Sequence, residues 1–288
     1  MGAFIAKTIF ILLLAAAIFG GAWYYTDKLF LKPQEALVAE KNAPATPLPP
    51  DPALPEFIKA AELMQSGDLL GARDAFTRFV EQNPHSLKLD AAKDLLGTIN
   101  TDIFLSTKPA PEKQVYVVKR GDVLNKVARI TKTTPELIMR ANGMTGIMLR
   151  IDQRLYYAPA EFSLVIDKQK QKIVLLNRGK FFKQYPITTL PPAKKAAPGP
   201  VVKKLGKVLE KIAWGPSGAR VIFTDKEYAE ANFWVSFSVS GHTLYSDPDP
   251  SSGQKPNKPP TGGIGVAPEA VAELAIMLTK GNPVTIEN

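Results

Sequence analysis

The chain has 288 residues, which is enough for two or three small domains beside an anchoring segment. Its net charge of +9 favours anionic partners such as lipid head groups or wall polymers, and the lack of a dense Lys/Arg run argues against nucleic acid. Cysteine is absent, which excludes disulfides, thiolate metal sites and cysteine nucleophiles.

The first predicted element is an uncharged apolar run from Thr8 to Tyr25. Eighteen residues rise about 27 Å as a helix, close to the hydrocarbon thickness of a bilayer. Lys7 precedes the run, and an aromatic triplet ends it in the manner of an interfacial aromatic belt. We therefore predict a transmembrane helix within residues 1–34.

The same segment has an alternative interpretation as a cleaved signal peptide, because Gly20, Gly21 and Ala22 are small residues near its end. The run is long for a signal peptide, so we expect an uncleaved, single-pass anchor in the inner (cytoplasmic) membrane. Lysines flank the run on both sides and do not fix its orientation. We expect the later domains to lie in the periplasm or cell-wall space because of features in their own sequences.

Two proline-rich stretches divide the rest of the chain. Residues 35–55 and residues 106–113 are predicted to be linkers. Proline has no backbone N–H and fixes φ, so it interrupts helices and favours a stiff, extended chain. A third proline-rich stretch, residues 191–200, lies inside the last domain and is predicted to be a loop.

The segment between the linkers, residues 56–105, has a helical pattern. Its apolar side chains recur at three- and four-residue steps. We predict a helical hairpin whose spacing resembles one tetratricopeptide unit at Ala60, Gly67, Ala72, Phe76 and Pro84. Such repeats need about three copies to stack stably. A spacer or dimer contact and a site that recruits a protein partner are both open interpretations.

Residues 114–159 are predicted to follow the order strand, helix, helix, strand. Alternating apolar residues predict a strand at each end, the second over residues 149–157. Two amphipathic helices lie between the strands. Thr133 or Thr134 can cap the second helix, with Pro135 in its first turn.

This module resembles the LysM family over its whole length. The resemblance is carried by the run from Tyr116 to Asp122 and by Leu124, Val127, Ala128, Leu137, Asn142, Ile151, Gln153, Leu155 and Pro159. Two positions depart from the family pattern. Val123 replaces the usual Ser or Thr and removes a helix-capping hydroxyl. Asp152 replaces the usual Gly in a turn that prefers positive φ.

The resemblance implies a binding site for glycans that contain N-acetylglucosamine, above all bacterial peptidoglycan. It places the sugar groove at two loops, formed by Gly121, Asp122 and Val123, and by Gly146, Ile147 and Met148. Exposed backbone donors and an apolar floor would suit N-acetyl groups. Alternatively, Gly121 and Asp122 form only a turn that leads into the helix and have no part in binding.

The last domain, residues 160–288, is predicted to be mainly β. Apolar alternation predicts strands at residues 162–166, 173–175, 181–189, 208–214, 221–223, 233–239 and 283–286. One amphipathic helix is predicted at residues 269–278. Many short strands with a single helix indicate a β-sandwich or barrel. The predicted fold class of the chain is therefore multidomain α+β, with an N-terminal transmembrane helix, a helical hairpin, a βααβ module and a mainly-β domain.

The segment order of the last domain resembles the YkuD-type L,D-transpeptidase domain. The segments that carry the resemblance are residues 162–189, 206–214, 234–242 and 270–286. In that family a cysteine attacks a peptide carbonyl and a nearby histidine activates it. Both lie in a motif that reads Ser/Thr-His-Gly-Cys, and a second, upstream histidine lies in the wall of the site.

The positions that match this motif lack its chemistry. His242 matches the upstream histidine, and Gly263 or Ile264 stands at the nucleophile position, depending on the register. The motif remnant consists of His242, Thr261, Gly262, Gly263 and Ile264. Acyl transfer needs a nucleophile, a base and oxyanion donors together. Only the glycine-rich backbone, as a potential oxyanion nest, is kept, so we predict no catalytic residue.

The enzymatic alternative is a serine nucleophile with His242 as its base. The candidate nucleophiles are Ser240, Ser246, Ser251 and Ser252. Ser240 lies two residues from His242 and so on the same face of a strand. Asp247 and Asp249 could pair as carboxylates or hold a metal, but their proline-rich surroundings read more simply as a solvated loop. We predict no metal and no cofactor.

Together these elements predict a non-catalytic, membrane-anchored protein that binds or scaffolds peptidoglycan in the cell envelope. Its predicted partners are peptidoglycan, through the glycan or the stem peptide, and the membrane, through residues 8–25. One alternative is an unorthodox transpeptidase or hydrolase that uses serine with His242. The other is an adaptor whose helical hairpin, residues 56–105, recruits a wall enzyme.

Overall fold

The computed structural model describes residues 51–191, 203–239, 241–247 and 260–287. These residues belong to one compact unit that begins at Asp51. Within the described ranges, no helix combines the length and the apolar character that crossing a membrane requires. The anchor expected at residues 8–25 lies outside them and stays a prediction.

The first part of the described chain is helical. It contains α1 (Leu54–Gln65), α2 (Leu69–Gln82) and α3 (Leu89–Phe104). Helix α1 begins inside the stretch predicted to be a linker up to residue 55, with Pro55 in its first turn. Proline is tolerated there because the first-turn N–H groups have no partner within the helix. The linker prediction is therefore wrong at its last two residues.

A short turn separates α1 from α2, as the sequence pattern predicts. Gly67 adopts φ +85°, and the side chain of Asp68 caps α2 by accepting a hydrogen bond from the backbone of Gly71. Ala60 and Phe76 are fully buried in the apolar cluster that the three helices share. Small residues at the contact let the helices approach closely, which is the physical basis of the predicted spacing pattern.

The middle module has the predicted order of strand, helix, helix and strand. Its elements are β1 (Gln114–Val117), α4 (Leu124–Ile130), α5 (Pro135–Ala141) and β2 (Arg154–Tyr157), and the two strands pair antiparallel. The strand predicted from residue 149 begins only at Arg154. Asp152 adopts φ +65°, so the chain turns there and cannot be extended. Thr134 caps α5, whereas Val123 at the start of α4 makes no side-chain cap.

The C-terminal domain contains a curled sheet and one α-helix. Its elements are β3 (Phe162–Asp167), β4 (Lys172–Asn177), β5 (Lys180–Pro186), β6 (Lys203–Trp214), β7 (Arg220–Val221), a 3₁₀ helix (Lys226–Glu230), β8 (Asn232–Phe237), β9 (Thr243–Ser246), β10 (Gly263–Val266), α6 (Pro268–Met277) and β11 (Pro283–Glu287). The third predicted strand ends at Pro186, three residues early. Strands β9 and β10 were not predicted.

The sheet follows the order β10-β9-β8-β6-β11-β3-β4-β5, with β7 paired to β6. Thr189, just beyond β5, forms an antiparallel bridge with Gly265 of β10. This bridge brings the two ends of the strand order together, so the sheet curls back on itself. Helix α6 packs against β8 and β9, and its buried face joins the core of the sheet.

The helical segment is docked on the C-terminal domain through α3. Asn100 Nδ2 donates a 2.8 Å hydrogen bond to the carbonyl of Phe182 in β5. The rings of Phe104, Phe162 and Phe182 pack edge to face, with centroids 5.3 to 5.5 Å apart. One face of the predicted helical hairpin therefore packs against the C-terminal domain of the same chain.

Candidate functional site

The two loops predicted to hold a sugar lie side by side and border one groove. The groove has a volume of about 380 Å³. Asp122 and Val123 line it from the loop before α4, and Ile147 and Met148 line it from the loop after α5. Val123 is 62% exposed and Met148 84% exposed, so the groove presents apolar side chains to solvent. Large apolar groups left exposed at one place are typical of a binding site.

Asp122 organises the first loop. Its Oδ2 accepts hydrogen bonds of 2.8 Å from Tyr116 Oη and from the backbone N–H of Lys119, and its Oδ1 lies 2.9 Å from Lys126 Nζ. The backbone hydrogen bond from Lys119, followed by those from Lys126 and Tyr116, lowers the pKa of Asp122 to about 2. The carboxylate therefore holds the loop and is not available as a ligand for a sugar.

The two predicted glycines have different positions. Gly121 adopts φ +82° directly before Asp122, which explains why glycine stands there, but it does not line the groove. Gly146 lines a neighbouring, more open and polar hollow of about 690 Å³, which Met148 and Arg150 also border. The groove between the two loops is thus lined by side chains that follow these glycines.

A third side of the groove comes from the C-terminal domain. Ile222, Phe223 and Thr224 follow β7 and face the two LysM-like loops. The sequence pattern predicts a strand at residues 221–223 and indicates no role for them in the groove. In the sequence, the adjacent apolar residues Ile222 and Phe223 in a polar turn are the local signal that could have indicated this contribution. Their contribution depends on how the two domains pack.

The middle module is fixed to the C-terminal domain by specific contacts. Thr134 Oγ1 donates a 3.0 Å hydrogen bond to the carbonyl of Ile276 in α6. Leu137 of α5 is buried in the core of the C-terminal domain, and Phe223 packs in return against the core of the middle module. Each domain therefore inserts an apolar side chain into the other.

The predicted nucleophile position is buried. Gly263 and Ile264 lie in β10, and both are shielded from solvent. A Cβ on Gly263 would lie 2.9 Å from Cδ1 of Tyr245 and 2.9 Å from the carbonyl oxygen of Pro260. Gly262 adopts φ +73°, and a Cβ there would overlap the carbonyl of Gly241. The surrounding atoms therefore leave no room for a side chain at Gly262 or Gly263.

Two N–H groups of the glycine-rich backbone, the expected oxyanion nest, are already used inside the fold. The N–H of Gly263 donates to the carbonyl of Pro260, and the N–H of Gly265 donates to the carbonyl of Thr189, both at 2.8 Å. Donors that are used inside the fold cannot stabilise a developing oxyanion without breaking those bonds. Thr261, in contrast, is exposed on the turn before β10.

His242 lies beside a cation. Its Nε2 is 2.9 Å from Nζ of Lys168, and the histidine is 9% exposed. Burial, followed by the nearby Lys204, lowers the pKa of Lys168. While Nε2 accepts a hydrogen bond from Lys168, this nitrogen is not available to take a proton from a serine hydroxyl.

The candidate serines do not assemble a triad in the described residues. Ser246 is buried and its Oγ is used by β8, because it accepts from the N–H of Phe233 at 2.9 Å. The remaining candidates, Ser240, Ser251 and Ser252, lie outside the described ranges. Asp247 Oδ2 accepts hydrogen bonds from the hydroxyls of Thr188 and Thr189, at 2.8 and 2.7 Å. In the described part of the chain, no cluster of three or more His, Asp or Glu residues could hold a metal ion. Asp249 lies outside it.

Comparison with protein families identifies the middle module. Residues 116–156 match the family model of the LysM domain, which confirms the resemblance predicted from the sequence. The match is confined to this module. No curated protein sequence matches the chain at a significant level.

Several of the solved structures that match the chain are L,D-transpeptidases. The enzyme from Mycobacterium smegmatis is 15% identical with a TM-score of 0.30, and the match covers 48% of this chain and 65% of that protein. L,D-transpeptidase 1 of Mycobacterium tuberculosis is 13% identical with a TM-score of 0.27, and the match covers 47% of this chain and 67% of that one. The catalytic domain of the E. faecium L,D-transpeptidase is 19% identical with a TM-score of 0.28, covering 44% and 96%.

The chain therefore carries a LysM module followed by a curled, mainly-β domain similar to L,D-transpeptidases. It spans just under two thirds of the length of the Mycobacterium smegmatis protein.

Proposed function

We propose that this protein is a membrane-anchored envelope protein that binds or scaffolds peptidoglycan and does not catalyse acyl transfer. The observation that carries the proposal is the LysM match at residues 116–156 together with the groove between its two loops. LysM domains bind peptidoglycan or chitin-like glycans. The exposed apolar side chains of Val123 and Met148 suit the methyl groups and ring faces of N-acetylated sugars.

Three observations support the non-catalytic part of the proposal. The chain has no cysteine, so the nucleophile of the similar enzymes is missing. Gly263 and Ile264 are buried, so a substrate carbonyl would have no access to either nucleophile position. Ser246 Oγ is held by the backbone of β8. Acyl transfer without a nucleophile, a base and free oxyanion donors has no route.

The anchoring part is supported by the sequence alone. Residues 8–25 form an uncharged run long enough to span the hydrocarbon core. A LysM module on the outer side of the inner membrane would hold the chain between membrane and wall. N-terminal sequencing of the mature protein tests this part. A chain that begins near Ala22 would show cleavage and remove the anchor.

The function as a whole can be tested with purified sacculi. The full-length chain, in mild detergent, is expected to sediment with sacculi and to leave the muropeptide profile unchanged in mass spectrometry. Met148→Ser, in the groove, should reduce sedimentation, while Leu209→Ser, at an exposed site outside the groove, should not. Failure of the unaltered chain to sediment would remove the glycan-binding function.

The same experiment distinguishes the enzymatic alternative. A serine-dependent transpeptidase or hydrolase would release or cross-link muropeptides, and His242→Ala would abolish the new products. The adaptor alternative is distinguished by a pull-down. A wall enzyme captured by the chain should be lost when exposed residues of α1 and α2, such as Ile58 and Leu70, are changed to serine.

A further inference from the structure

We propose that Ile222, Phe223 and Thr224 of the L,D-transpeptidase-like domain form a third wall of the glycan groove, so that the two domains bind one glycan together. The inference rests on the proposed glycan binding and adds which residues outside the LysM module take part. These three residues border the same groove of about 380 Å³ as Val123 and Met148. A LysM module alone would offer only the two loops.

The third wall is held in place by its own turn. The backbone N–H of Ile222 donates a 2.9 Å hydrogen bond to Asp225 Oδ2, and the N–H of Asp225 donates to the carbonyl of Ile222 at 2.8 Å. Val221, just before the turn, pairs with Ala213 of β6. These contacts fix the backbone of the turn on the sheet. A preorganised wall costs less ordering entropy when a ligand binds.

The wall is also fixed relative to the LysM module. Phe223 packs against the module's apolar cluster. The 3₁₀ helix that follows the turn carries Tyr228, whose pKa is raised by burial and by a hydrogen bond to Glu136 of α5. Thr134 of α5 is hydrogen-bonded to α6. These contacts thus hold the LysM module against the turn after β7 and against α6.

The exposed side chains indicate what this groove can hold. Ile222 is 61% exposed and Ile147 44% exposed, so each leaves an apolar surface open to the groove beside Val123 and Met148. Asp122, the acidic residue of the lining, is used by Tyr116, Lys119 and Lys126. A groove with apolar walls, whose one carboxylate is already paired with Lys126, fits a neutral, N-acetylated sugar better than a phosphate or a charged peptide. Because this third wall faces the two LysM loops, a ligand in the groove would be contacted by both domains, which raises the buried area of the ligand.

The inference can be tested by NMR on the full-length chain in detergent micelles, with isoleucine methyl groups labelled. The probe is a soluble tetramer of β-1,4-linked N-acetylglucosamine. The methyl resonances of Ile147 and Ile222 are expected to shift together and to saturate at one dissociation constant. Ile130, which is 54% exposed on α4 outside the groove, is the matched control and should not shift.

Variants provide the second measurement. Ile222→Ser is expected to raise the dissociation constant about 5- to 10-fold, because the apolar contact that the bound sugar would bury is lost. Met148→Ser should have a similar effect, and Leu205→Ser, 81% exposed on β6, should have none. Ile222 is exposed, so its substitution should leave the melting temperature unchanged.

The outcomes separate this inference from the proposed function. In one outcome, the methyl resonance of Ile147 shifts and Met148→Ser weakens binding, whereas the resonance of Ile222 does not shift and Ile222→Ser binds normally. The third wall is then wrong, and glycan binding stands. If the chain binds neither the tetramer nor sacculi, both are wrong. Binding of sacculi that neither Met148→Ser nor Ile222→Ser affects would locate the glycan elsewhere and overturn the inference. A concentration-dependent shift of Ile222 without sugar would mean a contact between copies, which also overturns it.

Discussion

The ring of Tyr245 covers Gly263, with its Cδ1 only 2.9 Å from the place that a Cβ on this glycine would occupy. Gly263 is one of the two positions that the sequence resemblance predicts for the nucleophile, and the other, Ile264, is fully buried in the core. The parallel pairing of β9 with β10 sets Gly263 opposite Thr243 and Gly265 opposite Tyr245. Tyr245 therefore lies on the strand next to Gly263, two residues further along the register, and its ring reaches back over the glycine.

Restoring the thiol alone is expected to damage the fold without restoring turnover. Gly263→Cys should lower the free energy of unfolding by about 1–3 kcal/mol, because the added side chain overpacks the site. Urea unfolding measures this cost, and mass spectrometry of stem-peptide substrates should show no new product. Gly146→Cys is the control, since a Cβ there meets nothing within 4 Å. The chain has no other cysteine, so a maleimide reagent should label the Gly146→Cys variant quickly and the Gly263→Cys variant slowly.

The groove loop should depend on the charge of Asp122. Its pKa is lowered to about 2, from a usual value of 3.8, so its contribution to stability is present above pH 3.8 and is lost as the pH falls towards 2. Asp122→Asn is expected to melt at a lower temperature than the unaltered chain at pH 7. The two melting curves should converge below about pH 3. An Asp122→Asn difference that persisted at pH 2 would contradict this prediction.

Glu273 should hold the helical segment to the C-terminal domain. Its Oε1 accepts hydrogen bonds from Tyr185 Oη at 3.0 Å and from Thr101 Oγ1 at 3.1 Å, and Lys183 Nζ lies 2.8 Å from its Oε2. Glu273→Ala is expected to lower the free energy of unfolding by about 2–4 kcal/mol, because it leaves a partly buried lysine without its carboxylate. Chemical denaturation measures the loss. Glu269→Ala, exposed in the first turn of the same helix, should cost little, and equal losses for both would remove the specific role of Glu273.

Thr134 is expected to couple the LysM module to the C-terminal domain. Its hydroxyl accepts from the N–H of Leu137 at 3.0 Å and donates to the carbonyl of Ile276 at 3.0 Å. Thr134→Val removes both bonds and should cost about 1–2 kcal/mol. Thr134→Ser keeps the hydroxyl and should behave like the unaltered chain.

Hydrogen exchange gives the local readout for this prediction. In Thr134→Val, the amides of the first turn of α5 should exchange faster, because the helix loses its cap and its attachment to α6. Because Thr134→Ser keeps the hydroxyl, equally accelerated exchange in that variant would contradict the role of the two hydrogen bonds.

Much of the local structure could be predicted from the sequence. The order strand, helix, helix, strand in the LysM module depends on short-range signals such as the cap at Thr134 and the glycine turn at Gly121. The start of α1 and the start of β2 were misplaced, since Pro55 fits a first helical turn and Asp152 adopts positive φ. Both errors arise where one residue is compatible with two local conformations.

The amino-acid sequence by itself determined the absence of thiol chemistry, the LysM module and the mainly-β character of the last domain. Only the tertiary structure decided that Tyr245 closes over Gly263, that Glu273 joins helix and sheet, and that Ile222 borders the LysM groove. Thr101 and Glu273, for example, are hydrogen-bonded although 172 residues separate them along the chain. Periodicity and turn signals act over a few residues, whereas such contacts depend on how whole elements pack, which no local pattern encodes.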